Sequence, residues 1–218
     1  MSDDRYSGVM NSTLATKLDR DKFLVNQKHR SWMKSKYYVF DESGAPLFYV
    51  ERPVKPLQRS DITIYHDDSR AVAALTIRQD HGYAALHRQY TLIGSESGDA
   101  IAHFDRDNIR SLFRRAWTIS HPDGSVVAGA REDTAWIAAA RRVIEWIPYV
   151  SILAGFVRTN FRLHVVGDGG VETSVGAFNR KLSFGDKYAL DLTDDPGRLL
   201  DRRIALALGI LLDTGEAR

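Results

Sequence analysis

The sequence predicts a mainly β protein: a closed antiparallel barrel of about twelve strands around a buried C-terminal helix, plus one outer helix. Three observations predict it. Hairpin patterns recur along the chain, each an aromatic or β-branched run, a Gly/Asp/Ser turn and a returning apolar run. The run Ile204-Ala-Leu-Ala-Leu-Gly-Ile-Leu-Leu212 is apolar on every side, so a helix there must be surrounded. No stretch rich in Pro, Gly or Ser divides the chain, so residues 22–218 read as one domain behind a flexible arm over 1–21.

Phe23-Leu24-Val25 is the first strand signal. Tyr38-Val39-Phe40 then turns through Asp41-Glu-Ser-Gly44 to Leu47–Val50. Ile62–Ile64 turns through His66–Ser69 to Ala71–Leu75, and Tyr90–Ile93 through Gly94–Gly98 to Ala100–Phe104. Trp117–Ile119 turns through His121–Gly124 to Ser125–Ala128, and Phe161–Val165 through Gly167–Gly170 to Val171–Phe178. Tyr188–Leu192 completes the set. So many strands leave exposed edges unless the sheet closes. Between the last two hairpins, Asp133–Ile147 reads as a helix stopped by Pro148, with Trp136, Ala139, Ala140, Val143 and Ile147 on one face. Asp195-Pro196 reads as an N-cap and first turn, so the last helix is expected from Pro196 to about Asp213. Such a helix is about 27 Å long and threads a small barrel. A membrane span needs about 20 apolar residues, and the uncharged stretch from Ile204 to Leu212 is too short. Gly209 is expected to allow a strand to approach closely.

The order of motifs resembles a known family. Tyr38…Asp41-Glu42-Ser43-Gly44…Leu47-Phe48 is followed by Arg110-Ser111-Leu112-Phe113-Arg114…Trp117-Thr118-Ile119…Asp123-Gly124. Then come Lys187-Tyr188-Ala189-Leu190-Asp191-Leu192…Asp201-Arg202-Arg203-Ile204. The chain resembles the LURP-one-related group of the tubby C-terminal-like superfamily, with phospholipid scramblases as relatives, over about Phe23 to Asp213. The resemblance implies a twelve-stranded barrel around a C-terminal helix. Phosphoinositide binding is known for tubby domains and lipid movement for scramblases, but the superfamily shares no catalytic set, so fold alone does not carry function.

Composition narrows the function classes. The chain holds 30 basic and 28 acidic residues, a net charge of +2, and no cysteine. Thiolate metal sites, disulfides and cysteine nucleophiles are excluded, and the balance offers no global pull toward nucleic acid. The N-terminal region has no apolar core of a secretory signal, so a cytoplasmic location is expected, peripheral at a membrane where headgroups are bound. Arg110 and Arg114, two residues apart on each side of Leu112, suit forked recognition of a phosphate. Lys34 and Lys36, beside Trp32 and Met33, suit a headgroup layer. Asp186, Asp191, Asp194 and Asp195 lie where scramblases place a calcium-loop-like segment, but lack an EF-hand spacing, and the scattered histidines make no zinc motif. The sequence reading is therefore a non-catalytic binding module for an anionic ligand such as a phospholipid headgroup, through Arg110, Arg114, Lys34 and Lys36. It expects no cofactor, metal, nucleic acid or transmembrane span. The alternative is a protein-interaction or structural scaffold without a small ligand.

Overall fold

The computed structural model describes residues 12–30, 34–53, 61–80, 87–107, 116–132, 161–181 and 187–216. Helix α1 (Ser12–Leu18) leads into strands β1 (Lys22–Arg30), β2 (Lys34–Phe40), β3 (Pro46–Pro53), β4 (Ile62–Tyr65), β5 (Ala73–Gln79) and β6 (His87–Gly94). Strands β7 (Ala100–Asp107), β8 (Ala116–Ser120), β9 (Val126–Glu132), β10 (Phe161–Val166), β11 (Glu172–Lys181) and β12 (Lys187–Asp191) follow, then helix α2 (Arg202–Glu216). Each strand pairs antiparallel with its neighbour in the chain, and β12 pairs with β1 to close the ring. The closed barrel has the strand number that the hairpin signals predict.

Alternation explains the wall. Phe23 and Val25, Tyr37 and Val39, Phe48 and Val50, Ile62 and Ile64, and Leu75 and Ile77 are buried at two-residue spacing in successive strands. They join one hydrophobic cluster with α2. Every residue from Arg202 to Leu212 is buried, so no face of the helix over that stretch meets solvent. The strands it touches most are β1, β12 and β7, and β7 stands across the ring from the other two. Gly209 makes one of these approaches possible: a Cβ there would lie 3.3 Å from the Phe178 ring and 3.7 Å from Leu190.

Two expectations need correction, and a third lies outside the described residues. Helix α2 starts at Arg202, not Pro196. Gly197 and Arg198, the latter at φ 52°, break the helical path, and Asp201 is the residue that receives the Arg203 amide at 2.8 Å. Asp195 instead accepts the Leu199 and Leu200 amides and thereby folds the approach to the helix. The stretch expected to be a flexible arm carries α1, whose Leu14 and Leu18 are buried in the core cluster. The helix expected over 133–147 and the apolar run Tyr149–Val157 lie outside the described residues.

Candidate functional site at the two ends of the barrel

Consecutive antiparallel strands place successive connections at alternate ends. One end, the turn end, collects segments 41–45, 66–72, 95–99, 121–125 and 167–171, together with α1 and the approach to α2. Its turns share a device. Asp41, Asp67, Asp123 and Asp191 each accept a backbone amide and a hydroxyl from the Ser or Thr two residues on. The hydroxyl from Ser43, Ser69 or Ser125 is the main reason that Asp41, Asp67 and Asp123 hold their carboxyls below the ordinary value of 3.8.

The opposite, far end receives the last residues of the odd strands and the first residues of the even ones. Its charge is one-sided over an arc of five adjacent strands, β10, β11, β12, β1 and β2. Their ends there carry Arg162, Arg180, Lys181, Lys187, Lys28, Arg30, Lys34 and Lys36, with no Asp or Glu in 161–163, 179–181, 187–189, 28–30 or 34–36. Lys181 stands opposite Lys187 in register, and His29 opposite Lys36. Like charges facing each other across strands oppose pairing. The turn end leans the other way: 41–45, 94–99, 121–125 and 167–172 hold Asp41, Glu42, Glu96, Asp99, Asp123, Asp168 and Glu172 and no lysine or arginine, while 66–72 adds Arg70 and α1 and the approach to α2 add Lys17, Arg20, Arg198, Arg202 and Arg203.

The structure places part of the sequence-predicted site. Lys36 is half-buried and opposite Glu51 of β3; Lys34 opens β2 at the far end, opposite Pro53. Arg110 and Arg114 lie outside the described residues, as do Trp32, Met33 and Asp186.

The turn end is stitched rather than open. Arg202, buried, donates to Asp195 Oδ2 at 2.7 Å, Asp21 Oδ1 at 2.9 Å, and the carbonyls of Arg20, Asp195 and Leu200. Arg203 forks onto Asp201. Lys17 reaches from α1 to the carbonyls of Leu47 at 2.9 Å and His66 at 2.6 Å and sits over the Phe48 ring; burial lowers its pKa. A cavity of about 20 Å³, enough for one water, lies among Leu14, His66, Ser95, Glu96, Ser97 and Arg203. A wider cleft of about 290 Å³ is bounded by Arg20, Lys22, Asp41 and Glu42, which pair with one another (Arg20–Asp41 3.2 Å, Lys22–Glu42 4.0 Å) and leave no net charge for a ligand.

Two polar groups on the wall were not singled out from sequence. Thr91 Oγ1 donates to Asp80 Oδ2 at 2.6 Å and lies 2.9 Å from His103 Nδ1. A carboxylate only accepts, so the hydroxyl proton points at Asp80, and His103 Nδ1 donates to the Thr91 oxygen. That arrangement orients an imidazole; it does not activate Thr91, which is 2 % exposed. Arg131 forks onto Glu172 at 2.6 and 2.7 Å, beside His164, whose ring occupies the space a Cβ on Gly129 would need. Burial lowers the pKa of His164 despite Glu172. Cross-strand partners close in space are far apart in sequence, so no spacing signal marked these groups. Among the described residues no group of three or more His, Asp or Glu side chains is placed to hold a metal, and Asp191 and Asp195 are engaged by Thr193 and Arg202. No helix among them is long and apolar enough to cross a membrane. No family model matches this chain, and no curated protein does.

Proposed function

We propose that the chain is a non-catalytic module of tubby-like architecture, its barrel plugged by α2, that docks its far end on an anionic surface of phospholipid headgroups. The observation that carries this reading is the uninterrupted basic arc at the ends of β10, β11, β12, β1 and β2. A net charge of +2 spread evenly gives little attraction. The same charge sorted into a basic end and an acidic end gives an oriented one, because surface potentials act over about 10 Å at ordinary salt. Each basic residue near an anionic bilayer contributes about 1 kcal/mol, so several together hold the protein without a deep pocket. The tubby-like assignment is supported by the closed twelve-strand ring and a C-terminal helix buried on all sides. Lys34 and Lys36 belong to the arc.

The test is sedimentation with phosphatidylserine-containing and pure phosphatidylcholine vesicles. Binding to the first alone, weakened by salt and lost in the Lys34→Glu/Lys36→Glu/Lys181→Glu variant, is the expected outcome. Equal and negligible binding to both overturns the proposal.

A further inference from the structure

Helix α2 and the strands around it can be set level with one another along the barrel. Arg202 fixes the start of the helix at the turn end, and the helix runs from there toward the far end. Gly209 lies against Phe178 of β11 and Leu190 of β12, which face each other in register. From that level both strands continue three residues toward the far end, to the facing pair Lys181 and Lys187, about 10 Å away. The helix continues seven residues to Glu216, also about 10 Å.

The apolar run of the helix stops at Leu212, and its last turn reads Asp213-Thr214-Gly215-Glu216. Positions 213 and 216 stand four and seven residues beyond Gly209, so both fall on the helix face that Gly209 turns to β11 and β12. Phe178 is buried on the inner face of the wall, and Arg180, two residues on, has the same phase. One turn of helix advances about 6 Å and two residues of strand about 7 Å. Position 213 is therefore level with position 180, and position 216 with the Lys181–Lys187 pair. The helix dipole adds its negative end at the same place.

We propose that Asp213 and Glu216 are built-in counter-anions of the basic arc: in the free protein they occupy Arg180 and its neighbours, and an anionic headgroup surface binds by displacing them. This rests on the headgroup reading and adds a threshold to it. An ion pair at a solvated rim is worth little by itself, so the last turn yields to a surface that offers many charges together. A single small anion replaces one contact and gains nothing from the rest. The device selects dense anionic surfaces over sparse ones.

The test has two parts. Carbodiimide joins a carboxylate to a lysine amine in contact with it. The expected product in the free protein is a cross-link from Asp213 or Glu216 to Lys181 or Lys187, mapped by mass spectrometry and depleted on saturating phosphatidylserine vesicles. In sedimentation, Asp213→Asn/Glu216→Gln should bind vesicles of low phosphatidylserine content about fivefold more tightly than the wild type. Glu42→Gln/Asp194→Asn makes the same change of net charge at the turn end and should bind as the wild type does. A missing cross-link in the free protein overturns the inference, as does equal, measurable binding by the wild type and Asp213→Asn/Glu216→Gln, which leaves the headgroup reading standing. Binding by none of the three proteins removes the headgroup reading and this inference together.

Discussion

The two ends of this barrel are made by the same twelve strands and carry opposite charge. At the turn end, acidic groups are consumed locally: Asp195 by two amides and Arg202, Asp201 by Arg203, Asp41 by Ser43 and Arg20. At the far end, Lys181 stands opposite Lys187 in register, while Lys36 faces Glu51 of β3. The difference teaches that charge serves stability where it is paired inside and recognition where like charges are left together. Helix α2 runs along the same polarity, since its positive N-terminus starts among the carboxylates of the turn end.

The harshest break of both ends at once is a charge in the shared helix. Leu206→Asp places an unpaired carboxylate where exposure is 0 %, at a cost of about 5 kcal/mol or more. Insoluble or unfolded protein by circular dichroism is the expected outcome. A soluble variant with a cooperative melt means that the helix is not enclosed.

Next in size is the buried clamp. Asp195→Ala leaves Arg202 without its closest carboxylate, and removing one partner of a buried pair costs about 3–5 kcal/mol. The exposed fork of Arg131 on Glu172 is the contrast: Arg131→Ala should cost less than about 1 kcal/mol. Urea unfolding of the two variants measures the gap. Similar losses in both mean that burial does not separate them.

Legibility follows the same divide. Strand count, ring closure and the buried helix were readable because apolar alternation is a local pattern with a short period, as in Tyr37/Val39 and Phe48/Val50. The helix start was misplaced because Asp195-Pro196 imitates a cap; only the tertiary bonds of Arg202 and the backbone of Arg198 reveal a turn. Near-neutral composition hid the charge sorting, since it exists only once chain order becomes strand direction. The triad of Asp80, Thr91 and His103 was invisible because it joins two facing strand residues to the residue after β5 through register.

Acid separates buried rings from exposed turns. His66 and His164 both favour the neutral form because burial penalises the charge. Lys17 adds to that at His66, with Glu96 and Asp67 opposing; Arg131 adds at His164, with Glu172 opposing. The unfolded chain therefore takes up protons first, below the ordinary 6.5, and stability falls as pH drops through that window. Asp41, Asp67 and Asp123 have lowered values, so their contribution persists above the ordinary 3.8 and is lost below it. Thermal melts should show two acid steps, and His164→Gln should shrink the upper one alone. A single step near pH 4 in the wild type removes the histidine contribution.

The smallest change is at the far end, and it should act in the opposite sense on stability and on binding. Lys181 and Lys187 face each other in register between β11 and β12. Lys181→Glu replaces a like-charge pair with an opposite one, worth about 0.2–1 kcal/mol in favour of folding. The same change puts a negative charge in the middle of the basic arc, so vesicle binding should weaken while the melting temperature rises. Residues kept for stability lose stability when changed; residues kept together for a ligand gain it and lose the ligand. A Lys181→Glu variant that melts lower, or binds anionic vesicles as well as the wild type, shows that the far end is an ordinary solvated rim.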